Sequence, residues 1–124
     1  MIRALIVEDD PLVGRALGRA LSRHVDVVDV VRDADAAIQR MEHDAVDVVV
    51  TDYDLGPSSR NGVELAARIR EQWPEVPIVM ASGSVNQQVR ATARQAGIDE
   101  CFTKPVPIDA LATTLRGLVE RRRR

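Results

Sequence analysis

Aromatic side chains are nearly missing from this chain: Tyr53, Trp73 and Phe102 are the whole supply in 124 residues. So few rings offer no platform for stacking nucleobases. A formal net charge of −2 likewise argues against a basic face for a nucleic-acid backbone. Cysteine is limited to Cys101, which has no internal disulfide partner and fits a reducing compartment. No apolar run reaches the ~18 residues of a membrane span. The amino terminus, Met1-Ile2-Arg3-Ala4-Leu5-Ile6-Val7, turns acidic before a signal-peptide apolar region is complete. Repeats, low-complexity tracts and linkers are absent as well. The expectation is one cytoplasmic domain over residues 1–124, with no output domain, no membrane contact and no direct DNA binding.

What is present is alternation. Hydrophobic residues make up 45% and charged residues 29%, a globular balance. Ala4–Val7 reads as a strand. A helix follows, opened by Pro11 and lined by Val13, Ala16, Leu17, Ala20 and Leu21. Gly14 and Gly18 weaken that helix by roughly 1 kcal/mol each relative to alanine, so tertiary packing must hold it. Val25–Val31 predicts a second strand, and Asp33 or Asp35 caps a helix carrying Ala37, Ile38 and Met41. Val46–Thr51 is a third strand, after which Asn61-Gly62 closes a loop and Val63, Leu65, Ala66 and Ile69 begin a helix. Pro77–Ala81 is a fourth strand, and Gln87–Ala96 a polar helix with Gly97 in the left-handed position at its end. Glu100–Thr103 is a short fifth strand, and Ile108 to Val119 the last helix, running into Arg121–Arg124. Five β-α units in succession imply a doubly wound α/β domain: a parallel sheet with helices on both faces.

In such sheets chemistry sits beyond the carboxyl ends of the strands. Val48-Val49-Val50-Thr51-Asp52 is a buried-strand pattern ending abruptly in a carboxylate. At the same edge lie Asp9 and Asp10 after the first strand, Ser82 after the fourth and Lys104 after the fifth. Alone, Asp9-Asp10 would read as an acidic helix cap. Together with Asp52 they make three mutually repelling carboxylates, which a divalent cation among them or protonation of one would relieve; hard oxygen ligands suit Mg²⁺. A hydroxyl and an ammonium opposite them suit a phosphoryl group. Asp52, best held by the central strand, is the candidate nucleophile.

These residues, in this order, resemble the receiver domain of two-component response regulators over essentially the whole chain. The resemblance implies a flavodoxin-like (βα)5 fold with strand order 2-1-3-4-5. It implies that Asp52 accepts a phosphoryl group from a phosphohistidine on a sensor histidine kinase or histidine phosphotransfer protein. Asp9 and Asp10 would hold Mg²⁺ with Asp52 and the Asp54 backbone carbonyl. Ser82 and Lys104 would contact the phosphoryl group, backbone N–H groups at Tyr53 and Gly83 would donate to it, and Lys104-Pro105 would be cis. Output would pass through the face formed by the fourth helix, fifth strand and fifth helix, to a protein target or a phosphorylation-dependent homodimer. The role would be signalling rather than enzymatic, apart from self-phosphorylation and self-dephosphorylation.

The chain departs from the family pattern in three places. Cys101 stands where a switch tyrosine or phenylalanine is usual, and Phe102 falls one place later, on the opposite side of its strand. The loop after Asp52, with Gly56-Pro57-Ser58-Ser59-Arg60-Asn61-Gly62, is long. Asp54 is acidic at a position that influences hydrolysis of the phosphoryl group. Two other functions compete. Asp52-Tyr53-Asp54 resembles the nucleophile loop of haloacid-dehalogenase-like phosphatases, although in those enzymes it ends the first strand. A receiver-like interaction module that is never phosphorylated is the other.

Overall fold

The computed structural model describes residues 1–123. Arg124, the end of the arginine run, lies outside the described residues. Five strands alternate with five helices: β1 (Arg3–Val7), α1 (Pro11–Leu21), β2 (Asp26–Val31), α2 (Ala34–His43), β3 (Val48–Asp52), α3 (Gly62–Gln72), β4 (Ile78–Ser82), α4 (Gln87–Gln95), β5 (Glu100–Thr103) and α5 (Ile108–Arg122). The sheet is parallel in the order β2-β1-β3-β4-β5, as the alternation and the family resemblance led us to expect.

Strand alternation sorts the core into two layers. Leu5, Val7, Val49, Ile78 and Met80 point to one face, where they meet α2, α3 and α4 through Ile38, Met41, Leu65, Ile69 and Ala93. Ala4, Ile6, Val48, Val50 and Val79 point to the other, against Leu21 of α1 and Leu111, Leu115 and Leu118 of α5. All five residues of β3 and of β4 are buried, which explains their unbroken apolar sequence: a strand covered on both faces has no solvent side for polar residues.

Packing also resolves the weak first helix. A Cβ on Gly14 would lie 2.9 Å from Cγ1 of Val30, and one on Gly18 3.0 Å from Cγ2 of the same valine. The helical propensity that the glycines cost is offset by the close seating of α1 on β2. Asp33, rather than Asp35, caps α2 by accepting from the Ala36 N–H at 2.8 Å. Gly97 has φ +95°, the left-handed conformation anticipated for it.

Two boundaries move. The third strand starts at Val48; Asp47, just before it, donates its N–H to the Arg3 carbonyl at 2.8 Å, while its side-chain carboxylate accepts the Arg3 N–H at 2.8 Å. Gly62 is the first residue of α3 rather than the end of a loop. Asn61 caps that helix reciprocally with Glu64, each side chain accepting the other's backbone N–H at 2.9 Å. Away from the site edge, Asp99 holds α3, β4 and α5 together. It accepts from Arg70 at 3.0 Å, from the Ile78 N–H at 2.8 Å and from Arg122 at 3.3 Å.

Candidate functional site

Parallel pairing brings the carboxyl ends of β1, β3, β4 and β5 to one edge. Val7 is in register with Thr51, Asp52 with Ala81, and Ser82 with Thr103. The residues that follow these positions therefore converge, whatever their distance in sequence.

At the centre is Lys104. Its Nζ donates to Asp52 Oδ2 at 2.8 Å and to Glu8 Oε1 at 2.9 Å, joining the ends of β3 and β1 through the start of the loop after β5. Carboxylate oxygens of Glu8, Asp9 and Asp52 all lie within 4.8 Å of one another, an arrangement that could hold a metal ion. Asp52 and Glu8 are buried, whereas Asp9 is exposed, so the cluster opens to solvent on one side.

The structure distributes the acidic residues differently from the sequence reading. Asp10 does not join the cluster. Its Oδ1 accepts the Leu12 and Val13 N–H groups at 2.9 and 3.3 Å and caps α1. Glu8, which that reading passed over, takes the place beside Asp9. The signal was present in Pro11: proline at the first helical position makes residue 10 the cap, a role aspartate fills well. Burial raises the Glu8 pKa, with the Lys104 ammonium and the Asp10 N–H only partly offsetting the effect.

The expected backbone donors are also redistributed. The Tyr53 N–H is spent on the Ala81 carbonyl at 2.8 Å, continuing the β3–β4 ladder, so it has no hydrogen to offer a ligand. The next amide, Asp54, and that of Gly83 make no hydrogen bond among the described residues. The Asp54 carboxylate is turned into its own loop, where Oδ1 accepts the Gly56 N–H at 3.0 Å and Gly56 takes φ +92°. Ser82 is buried and donates to the Ser84 carbonyl at 3.1 Å rather than to Asp52. The Lys104-Pro105 peptide is cis. Cys101 packs in the layer of α2, α3 and α4 and Phe102 in the layer of α1 and α5, the opposition that strand alternation requires. Burial pushes the Cys101 thiol pKa up, which disfavours a reactive thiolate.

Burial works against the Lys104 ammonium, but hydrogen bonds to Asp52 and Glu8 and the charges of both outweigh it, so its pKa rises above the ordinary 10.5. A raised pKa means that the folded chain holds this proton more tightly than the unfolded one. The resulting stability is complete below pH 10.5 and is lost as pH climbs through the folded value. Lys104→Met is therefore expected to be less stable than the parent at neutral pH. The gap narrows at higher pH. Urea midpoints of both chains between about pH 8 and 12 measure it; a gap unchanged across that range contradicts the ion-pair account.

Comparisons with known proteins point to one family. The family model of the response regulator receiver domain matches residues 4–116. The transcriptional regulatory protein TcrA of Mycobacterium tuberculosis is 34% identical over 122 residues, covering 97% of this chain and 47% of that protein. The two-component response regulator PhoP of Pseudomonas aeruginosa is 31% identical over 120 residues, covering 97% of this chain and 52% of its own length. This chain thus spans about half the length of these curated relatives. Among solved structures, the receiver domain of NtrX from Brucella abortus superposes with a TM-score of 0.85 at 29% identity, covering 94% of this chain and 98% of that one. A CheY-like receiver domain protein from Methanospirillum hungatei JF-1 gives 0.89 at 20% identity over 99% and 97%, a likeness of fold. With the family model matching nearly end to end over a sheet whose edge gathers Asp52, Lys104 and two further carboxylates, the chain belongs to the response regulator receiver domain family.

Proposed function

We propose that Asp52 is the phosphoacceptor of this receiver. One observation carries the assignment: a buried carboxylate at the end of the central strand, bonded to a lysine and flanked by two more carboxylates. Asp52 attacks the phosphorus of a phosphohistidine on a sensor histidine kinase or histidine phosphotransfer protein. The P–N bond breaks as the O–P bond forms, and the imidazole leaves with its electron pair and takes up a proton. Lys104 neutralises the oxygens that the phosphoryl group brings. Ser82 exchanges its Ser84 carbonyl for a phosphoryl oxygen, and the free amides of Asp54 and Gly83 donate to the others.

The donor set fits Mg²⁺, with Glu8, Asp9, Asp52 and the Asp54 carbonyl holding it. Bound there, Mg²⁺ would supply positive charge for the phosphoryl oxygens and relieve repulsion among the carboxylates. Output then passes through the face of α4, β5 and α5, whose two arrangements are rebalanced by phosphorylation. With Cys101 in place of an aromatic residue, the Ser82 shift is transmitted by packing of a small side chain rather than by rotation of a ring. The setting we assign is the cytoplasm.

Incubating the chain with Mg²⁺ and a small acyl phosphate donor tests the assignment. The expected product carries one alkali-labile phosphoryl group per chain, located on Asp52 by mass spectrometry. Repeated turnover of a phosphoester without a lasting adduct would favour a phosphatase of the haloacid-dehalogenase kind. No adduct at all would favour an interaction module that is not phosphorylated.

A further inference from the structure

Beyond the phosphoacceptor edge, α1 carries two arginines and no carboxylate. Arg15 and Arg19 stand one turn apart, where like charges repel and weaken a helix by a few tenths of a kcal/mol. With Arg32, just after β2, they line a depression of about 480 Å³ whose floor is Gly18, Val27 and Val30. None of the three guanidinium groups makes an ion pair or side-chain hydrogen bond among the described residues. Acid is not scarce, since the chain has 19 aspartates and glutamates. Some arginines elsewhere find it, Arg3 pairing with Asp44, Arg40 with Asp29 and Arg68 with Asp35, whereas others, such as Arg23, Arg60 and Arg116, do not among the described residues. One carboxylate, Glu8, also lines the depression, and it and Asp29 of the adjoining β2 are already bonded. Glu8 serves Lys104 and the Asp10 N–H, while Asp29 serves Arg40 and the Val30 N–H. A comparable pair on α4, Arg90 and Arg94, lines a hollow where two carboxylates, Asp99 and Glu100, balance the two cations. Among the described residues, the α1–β2 depression sets three cations against a single carboxylate, Glu8, whose two oxygens are bonded to Lys104 and to the Asp10 N–H.

We propose that this depression binds a small anion of the diphosphate class, held by Arg15, Arg19 and Arg32. Guanidinium groups match phosphate oxygens in pairs, and a diphosphate is long enough to engage more than one of them. The apolar floor lowers the local dielectric and strengthens those bonds. Asp52 does not line the depression, although Glu8 borders both it and the phosphoacceptor cluster, and binding does not require phosphorylation of Asp52.

Titrating the isotope-labelled 124-residue chain with inorganic pyrophosphate, free of divalent metal and at low salt, tests the proposal by amide NMR. Saturable shifts are expected at Arg15, Gly18, Arg19 and Arg32, weakening as salt is raised. Changing all three arginines to glutamine is expected to weaken binding by about tenfold or more, the ratio that loss of one charge-assisted bond sustains. Its amide spectrum reports whether the triple variant is folded, and Arg15→Gln/Arg19→Gln alone provides a milder comparison. Absence of saturable shifts, shifts centred on Lys104 and Gly83, or unchanged binding by the variants overturns it. Failure to bind pyrophosphate, with slower phosphotransfer from a histidine-phosphorylated donor to the triple variant, also overturns it and assigns the basic surface to an acidic protein instead.

Discussion

Asp52→Asn is expected to reduce phosphoryl acceptance to background while leaving the fold intact. An amide oxygen is a far weaker nucleophile than a carboxylate, and no neighbour can replace it in the same position. Asp9 is exposed on the adjoining strand end, and Glu8 is tied to Lys104 and the Asp10 N–H. Stability should stay within about 1 kcal/mol of the parent or rise, because the substitution removes one of three mutually repelling carboxylates and Lys104 keeps its bond to Glu8. Phosphoryl incorporation from a donor and the urea midpoint, measured on one preparation, separate the two effects. Retention of the label by the variant would place the phosphoacceptor elsewhere. Loss of label accompanied by unfolding would show that Asp52 is needed for the fold first.

Gly62→Ala has the largest expected structural effect, and its sign opposes the usual one. Helix propensity alone favours alanine by up to about 1 kcal/mol. At Gly62, however, the added Cβ would run into the Asp52 carbonyl oxygen and lie 3.1 Å from the Tyr53 Cα. Both obstacles are backbone, which cannot yield as a flexible side chain can. The Gly62 N–H also donates to the Tyr53 carbonyl at 2.7 Å, fixing the start of α3 beneath the end of β3. We expect a loss of about 2–3 kcal/mol, with slower phosphorylation because displacement acts directly on the backbone of Asp52. Gly117, inside α5 with nothing within 4 Å of a Cβ, supplies the contrast: Gly117→Ala should stabilise by about 0.5–1 kcal/mol. Denaturation midpoints of the two variants moving in the same direction would refute the steric account.

Much of the architecture was legible because each β-α unit announces itself locally. The valine run of β3, Pro11 at the start of α1 and Gly97 after α4 each constrain their own few residues, and they agree with one another. The site was less evenly legible. Asp52 and Lys104 follow their strands directly and could be placed together by topology. The acidic pair could not be assigned by adjacency alone, because Glu8, Asp9 and Asp10 are consecutive carboxylates and only the geometry of the first turn decides which one becomes a cap. Tyr53 failed as a donor for a similar reason: whether its amide is free depends on how far β4 runs beside β3, a register that neither strand specifies alone.

The parallel fold, the edge at which the chemistry gathers and the residue types available there can all be read from the order of residues alone. These follow from periodicity and from turn chemistry, which act over a few residues at a time. Tertiary structure decided which carboxylates face the lysine, which amides remain free and how closely α1 and α3 approach the sheet. Those outcomes turn on distances of a few ångströms between segments far apart in the chain, such as Gly62 against Asp52, and on which hydrogen-bonding groups are already satisfied when the segments meet.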